Sequence, residues 1–216
     1  MTQPLYPPPE SIFGPIFDGS VLTRAAIATL RAWYPTYIRE LEIQRNYKTK
    51  QIPPPRTYVE RWRFDTYPDE VLPIVVVVCP GMSEPPNHAG DGVVSGWWSL
   101  GVGVIAAANT EENSERMAKV YGACARAILE QKGYLDDSWE FAGTYVMDEN
   151  YVDVPDIEQS RTMRSAQIIA RVRVENIVTK GAGPAYPDPP DPDTQPGTDW
   201  PDVQSVFTDV EQMEEK

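Results

Sequence analysis

Histidine, cysteine and positive charge are all scarce in this chain. It has one histidine and two cysteines in 216 residues, and 19 Lys and Arg against 32 Asp and Glu. One histidine and two cysteines in separate apolar stretches make no zinc site, and no Ser/His/Asp order is recognisable. Nor can Cys79 and Cys124 supply a disulfide framework, so they read as buried, reduced thiols. No apolar stretch reaches the ~20 residues that a membrane span requires. Met1 leads into Pro-rich polar sequence rather than a charged start and an apolar run, which reads as a chain made and kept in a cytoplasm. A formal charge of −13 leaves no electrostatic reason to grip nucleic acid or an anionic membrane.

Proline, by contrast, is abundant and unevenly placed. Of 22, five lie in residues 1–17 and seven in residues 184–216. The chain therefore divides into an extended N-terminal arm (1–17), a folded body (18–183) and a C-terminal extension (184–216). The extension holds six Asp, three Glu and one Lys, or −8 of the total charge, which leaves the body and arm mildly acidic. Its composition is that of a segment unable to form a core alone.

Within the body, Asp18-Gly19-Ser20 caps a helix with Leu22, Ala25, Ala26, Thr29, Leu30 and Trp33 on one stripe. Pro35 should kink or restart it, and the pattern resumes to about Gln44. Arg56 to Phe64 alternates like a strand with one wet face. Ile74 to Val78 is a β-branched run bounded by proline and so reads as a central strand. Residues 81–95 read as a long loop with His88 and Asp91, and a loop of that length usually has a task or a partner. Trp97 to Ala108 carries no charge over twelve residues, as a strand buried on both faces requires. Asn109 and Glu112 suggest the start of a second helix, with Met117, Val120, Tyr121, Cys124, Ile128 and Gln131 on one stripe and Gly133 as its stop. Trp139, Phe141, Tyr145 and Met147 mark a further strand, and Asp148 to Glu158 an acidic excursion. In a last strand Ile168, Ala170, Val172 and Val174 face inward, while Arg171, Arg173 and Glu175 face out. The order implies an α+β fold: a mostly antiparallel β-sheet packed with two main helices.

Three constellations invite chemistry and read better as structure. Gly101-Val102-Gly103-Val104-Ile105-Ala106 matches a dinucleotide turn by letters, but the helix start comes too late and the glycines fall inside a strand. The carboxylates from Asp148 to Glu158 lack the spacing and central glycine of a calcium loop. Six tryptophans and eleven tyrosines suit a core or a protein interface as well as a sugar-stacking surface. No catalytic, cofactor or metal residue is assigned.

The stretches Ala32-Trp33-Tyr34-Pro35-Thr36-Tyr37, Pro55-Arg56-Thr57-Tyr58-Val59 and Leu72 to Gly81 form a pattern with the strand and helix of residues 97–132. Arg171-Val172-Arg173-Val174 and the Gly181-Ala182-Gly183-Pro184 exit complete it. Over roughly residues 20–190 this pattern resembles the tail terminator proteins of long-tailed bacteriophages, particularly those infecting actinobacteria. The resemblance implies a non-enzymatic virion protein, assembled in the host cytoplasm. It implies a ring, usually a hexamer of this chain, that caps the tail tube protein and meets the head–tail connector or stopper. DNA would pass through without being tightly held, and no membrane or cofactor is involved. A head-completion or stopper protein, a small hydrolase and a carbohydrate-binding module remain alternatives.

The extension goes beyond that minimal pattern. Trp200 reads as an anchor for a neighbouring subunit, and Val203, Val206, Phe207 and Val210 recur at i, i+3, i+4 and i+7, the stripe of a short amphipathic helix. Together with His88 and Asp91 these are the candidate partner-interface residues.

Overall fold

The computed structural model describes residues 13–47, 51–61, 71–88, 94–134, 139–154 and 162–180. The elements in chain order are β1 (Phe13–Ile16), α1 (Gly19–Gln44), β2 (Thr57–Val59), β3 (Ile74–Met82), β4 (Asn87–His88) and β5 (Val94–Ala108). They continue with α2 (Glu111–Gln131), β6 (Glu140–Val154), β7 (Thr162–Glu175) and β8 (Val178–Lys180). The expected α+β architecture is present. One sheet runs β2-β3-β5-β7-β6, with β4 hydrogen-bonded to β5, and β1 pairs with β8 in a small separate ribbon. Only β2 and β3 are parallel; the other pairings are antiparallel.

Helix α1 starts where Asp18 accepts hydrogen bonds from Ser20 N (2.7 Å) and Val21 N (3.2 Å), which satisfies two of the donors orphaned at a helix start. It runs unbroken to Gln44, so Pro35 does not restart it. Both Pro35 and Arg31, whose carbonyl loses its donor there, are exposed, so water can serve that carbonyl. Helix α2 is capped by Thr110, whose hydroxyl accepts from Asn113 N at 3.3 Å, one residue later than the Asn109–Glu112 pattern suggests. It stops at Lys132 in an extended conformation (φ −110°, ψ 138°). The exposed Gly133 is therefore no left-handed cap.

The two helices cover one face of the sheet. Leu22, Ala26, Leu30 and Tyr34 from α1 meet Val120, Tyr121, Ile128 and Leu129 from α2 over Val75, Val77, Leu100, Val102, Ile168, Ala170 and Val172. Most of these side chains are wholly buried, each worth about 1.5–3 kcal/mol for the larger ones. Gly122 lets α2 approach the sheet closely: a Cβ there would stand 3.2 Å from Ala166 Cβ on β7.

Four expectations change. The segment read as a loop over 81–95 holds the end of β3 and the strand β4, whose Asn87 and His88 pair with Ser95 and Val94. The acidic excursion is strand as far as Val154. Because β6 lies at the sheet edge, its charges reach arginines: Asp153 to Arg164 Nε at 2.7 Å and Glu149 to Arg126 Nε at 3.4 Å. Of the described part of the alternating stretch, residues 56–61, only Thr57–Val59 is strand, and residues 62–64 lie outside the described residues. Residues 13–16, inside the segment read as an arm, form β1, and Phe17 is buried against Trp98 and Trp139.

Candidate functional site

Several tyrosines and both cysteines of the described residues are partly or fully buried, and two of the tyrosines bond to backbone carbonyls. Tyr34 donates to the carbonyl of Tyr121 at 3.2 Å, and Tyr121 donates to the carbonyl of Pro53 at 2.5 Å, tying α1 to α2 and α2 to the segment after α1. Burial pushes both phenols well above their ordinary pKa. Tyr58, half-buried under the Arg31 guanidinium (5.0 Å), is pushed up to about 12, again by burial. The Cys124 thiol is pushed up to about 12 by burial, and Cys79 is raised for the same reason. A nucleophilic cysteine needs the opposite shift.

Ionic groups are knitted together in the same way. Arg164 on β7 contacts Glu111 (3.1 Å) and Glu115 (3.3 Å) at the start of α2, and Asp153 on β6. Those contacts fasten one end of α2 to the sheet. Among the described residues no group of three or more His, Cys, Asp and Glu is placed to hold a metal ion. Open cavities lie at the surface of the described residues. One of about 650 Å³ lies beside Gly19, Glu60, Arg61 and Cys79; one of about 510 Å³ lies between Arg126 and Glu130 of α2 and Asp148 of β6. Gly101 and Gly103, which match a dinucleotide turn by letters, lie mid-strand opposite Val78 and Val76.

The other face of the sheet is the notable surface. Cross-strand partners share a face, so the pairings place Val78, Gly101, Ile169 and Asp148 in one row, and Ser99, Arg171 and Tyr145 in the next. No described helix lies over these rows. On this face Tyr145 is 63% exposed and Ile169 49%. Tyr145 rests against Trp97 at 5.6 Å between ring centroids. Gly101 lets Val78 pack closely beside it, because a Cβ there would stand 3.0 Å from Val78 Cγ2. The cations on this face, Arg171 and Arg173, contact Glu84 (2.6 Å) and Glu175 (2.7 Å). Toward the β2 side the same face becomes a buried apolar cluster of Ile74, Val76, Ile105 and Met163. Sequence patterning missed this surface. The available signal was Ile168-Ile169: in an alternating strand the second isoleucine must point away from the core.

Of the proposed interface residues, His88 lies exposed on β4. Asp91, Trp200, Val203, Val206, Phe207 and Val210 lie outside the described residues.

Comparison with known proteins finds no matching family model and no matching curated protein. Among solved structures, a chain in the virion of a native gene transfer agent particle aligns with 55% of this chain and 78% of its own length. Identity is 16% and the TM-score 0.35, a partial likeness only.

Proposed function

We propose that the chain is a structural virion protein of the tail-terminator kind. In this reading several copies, six by the resemblance, close into a ring that caps the tail tube and meets the head connector. The carrying observation is the helix-free sheet face, on which Tyr145 and Ile169 stand exposed beside Trp97. Exposed large apolar groups on one continuous face mark a surface built to meet protein. Among the described residues, the 15-residue strand β6 ends the sheet and no strand pairs with its outer side. The chemistry of the remaining surface agrees: buried thiols and phenols are driven toward their neutral forms, and the arginines Arg126, Arg164, Arg171 and Arg173 all meet carboxylates. A net charge of −13 suits a channel that passes DNA without retaining it.

Solution mass with negative-stain imaging tests the reading, on the chain alone and after addition to assembled tail tubes. The expected particle is a six-fold ring, free or at the tube end. A strict monomer under both conditions would sink it.

A further inference from the structure

The helix-free face and the C-terminal extension complement each other. Around Ile169 and Tyr145 the face exposes large apolar side chains, and both described helices pack on the opposite side of the sheet. Outside the described residues, segments 1–12 and 62–70 are broken by proline, and the remaining internal ones run to seven residues or fewer. The stripe Val203, Val206, Phe207 and Val210, preceded by Trp200, is the amphipathic segment left over. We infer that this segment seats on the helix-free face of a second copy of the chain, its apolar stripe over Ile169 and the adjoining Gly101 row, and Trp200 near Trp97 and Tyr145. This docking presupposes the multi-copy assembly proposed above.

Reach decides between a chain's own face and that of its neighbour. The described chain ends at Lys180, shortly after Ile177 donates to the carbonyl of Val94 at the start of β5. From Val94 to Gly101 is seven residues of strand, about 23 Å at ~3.3 Å per residue. From Lys180 to Trp200 is twenty residues with six prolines between them. Proline holds φ near −65° and favours an extended spacer, about 60 Å at ~3.1 Å per residue. A linker far longer than the span lowers the effective concentration at its own site. A folded body of this size is about 40 Å wide, from a radius of gyration near 15 Å, so a neighbour's face lies within reach. The attraction is apolar rather than ionic. Arg171 and Arg173 already face Glu84 and Glu175, and Asp148 sits in the row of Ile169. The acidic residues Asp199, Asp202, Asp209 and Glu211 lie close to the stripe in sequence, so an ionic contact would have to find a cation that is already matched.

Photo-crosslinking on the full-length chain tests the docking. An unlabelled chain carrying p-benzoylphenylalanine in place of Ile169, or in a second variant in place of Tyr145, is mixed with the ¹⁵N-labelled wild-type chain and irradiated. Peptide mass spectrometry then identifies the partner. The expected product joins position 169 or 145 to a ¹⁵N-labelled peptide within 196–216, with yield unchanged between low and high salt. Trp200→Ala in the labelled chain should lower that yield about tenfold or more, as loss of a hot-spot anchor does. Cross-links only within one chain, to any other segment, or insensitive to Trp200→Ala overturn the inference, as does their absence. Native mass on the same samples reports the ring separately. A ring without this cross-link defeats the docking alone, and a cross-linked pair without a ring defeats the terminator reading alone.

Discussion

Gly122→Ala sets two opposing effects against each other at the junction of α2 and the sheet. In an exposed helix interior the change would stabilise by about 1 kcal/mol, since alanine costs less backbone entropy than glycine. Here the new methyl would meet Glu149 Oε1 at 2.9 Å, Tyr151 Oη at 3.0 Å and Ala166 Cβ at 3.2 Å. The first two are far ends of side chains on the edge strand β6, hydrogen-bonded to each other, and they can swing aside. Ala166 cannot. It is wholly buried on β7, between β5 and β6, and its Cβ moves only with the backbone. Overpacking of this kind costs about 1–3 kcal/mol. The sheet contact should therefore win, with a net loss of about 1 kcal/mol and a melting temperature lower by about 2–4 °C for a chain of this size. Urea unfolding followed by circular dichroism measures it, with an unchanged m-value as the sign that only stability moved. Tyr151→Phe in the Gly122→Ala background removes the phenolic oxygen and should recover only part of the loss. A Gly122→Ala variant that melts above wild type, or full recovery by Tyr151→Phe, would refute the reasoning, because the flexible side chains would then carry the whole conflict.

Three further outcomes follow from buried or capping groups. Tyr121→Phe leaves the Pro53 carbonyl without its 2.5 Å donor, so stability should fall by about 1–3 kcal/mol in a urea titration; a change within error would mean that water replaces the phenol. Asp18→Ala removes the α1 cap and should cost about 1 kcal/mol at pH 7. The Asp18 carboxyl is held below its ordinary pKa, first by the Ser20 hydroxyl and then by the Ser20 and Val21 amides. Its contribution is present above the unfolded value near 4 and fades as pH falls through the lower folded value, so the gap between wild type and Asp18→Ala should narrow only below about pH 4. Cys124 keeps its proton in the folded state until pH approaches about 12, while an unfolded thiol loses it near 8.5. Its contribution to stability is thus complete below about pH 8.5 and declines as pH rises toward the folded value. At pH 8 a thiol reagent should spare Cys124 in the native chain and modify it in urea; stoichiometric native labelling would contradict the burial.

Local pattern carried the elements whose burial is regular along the chain. Asp18 before an apolar stripe marked α1, and the alternation of Ile168 to Val174 against Arg171 and Arg173 marked β7. Uninterrupted apolar sequence did the same for β3 and for much of β5, although the coverage on both faces that it suggested fails around Trp97, Ser99 and Gly101, which are only partly buried. Together these were enough to establish an α+β chain with two helices on a mostly antiparallel sheet. What local pattern could not convey was which neighbours each strand would find. The carboxylates of β6 look like a solvated loop until Arg126 and Arg164, distant in sequence, stand beside them at a sheet edge. Residues 13–16 carry no strand signal of their own and become one only because β8 returns to pair with them. The helix-free face arises the same way. Tyr145, Ile169 and Trp97 belong to three separate strands, and only the β6-β7-β5 pairing sets them side by side while both helices pack on the opposite side. Periodicity decides which residues share a face of one element, but the order of strands and the side the helices choose depend on long-range pairing, and that is where this surface was made.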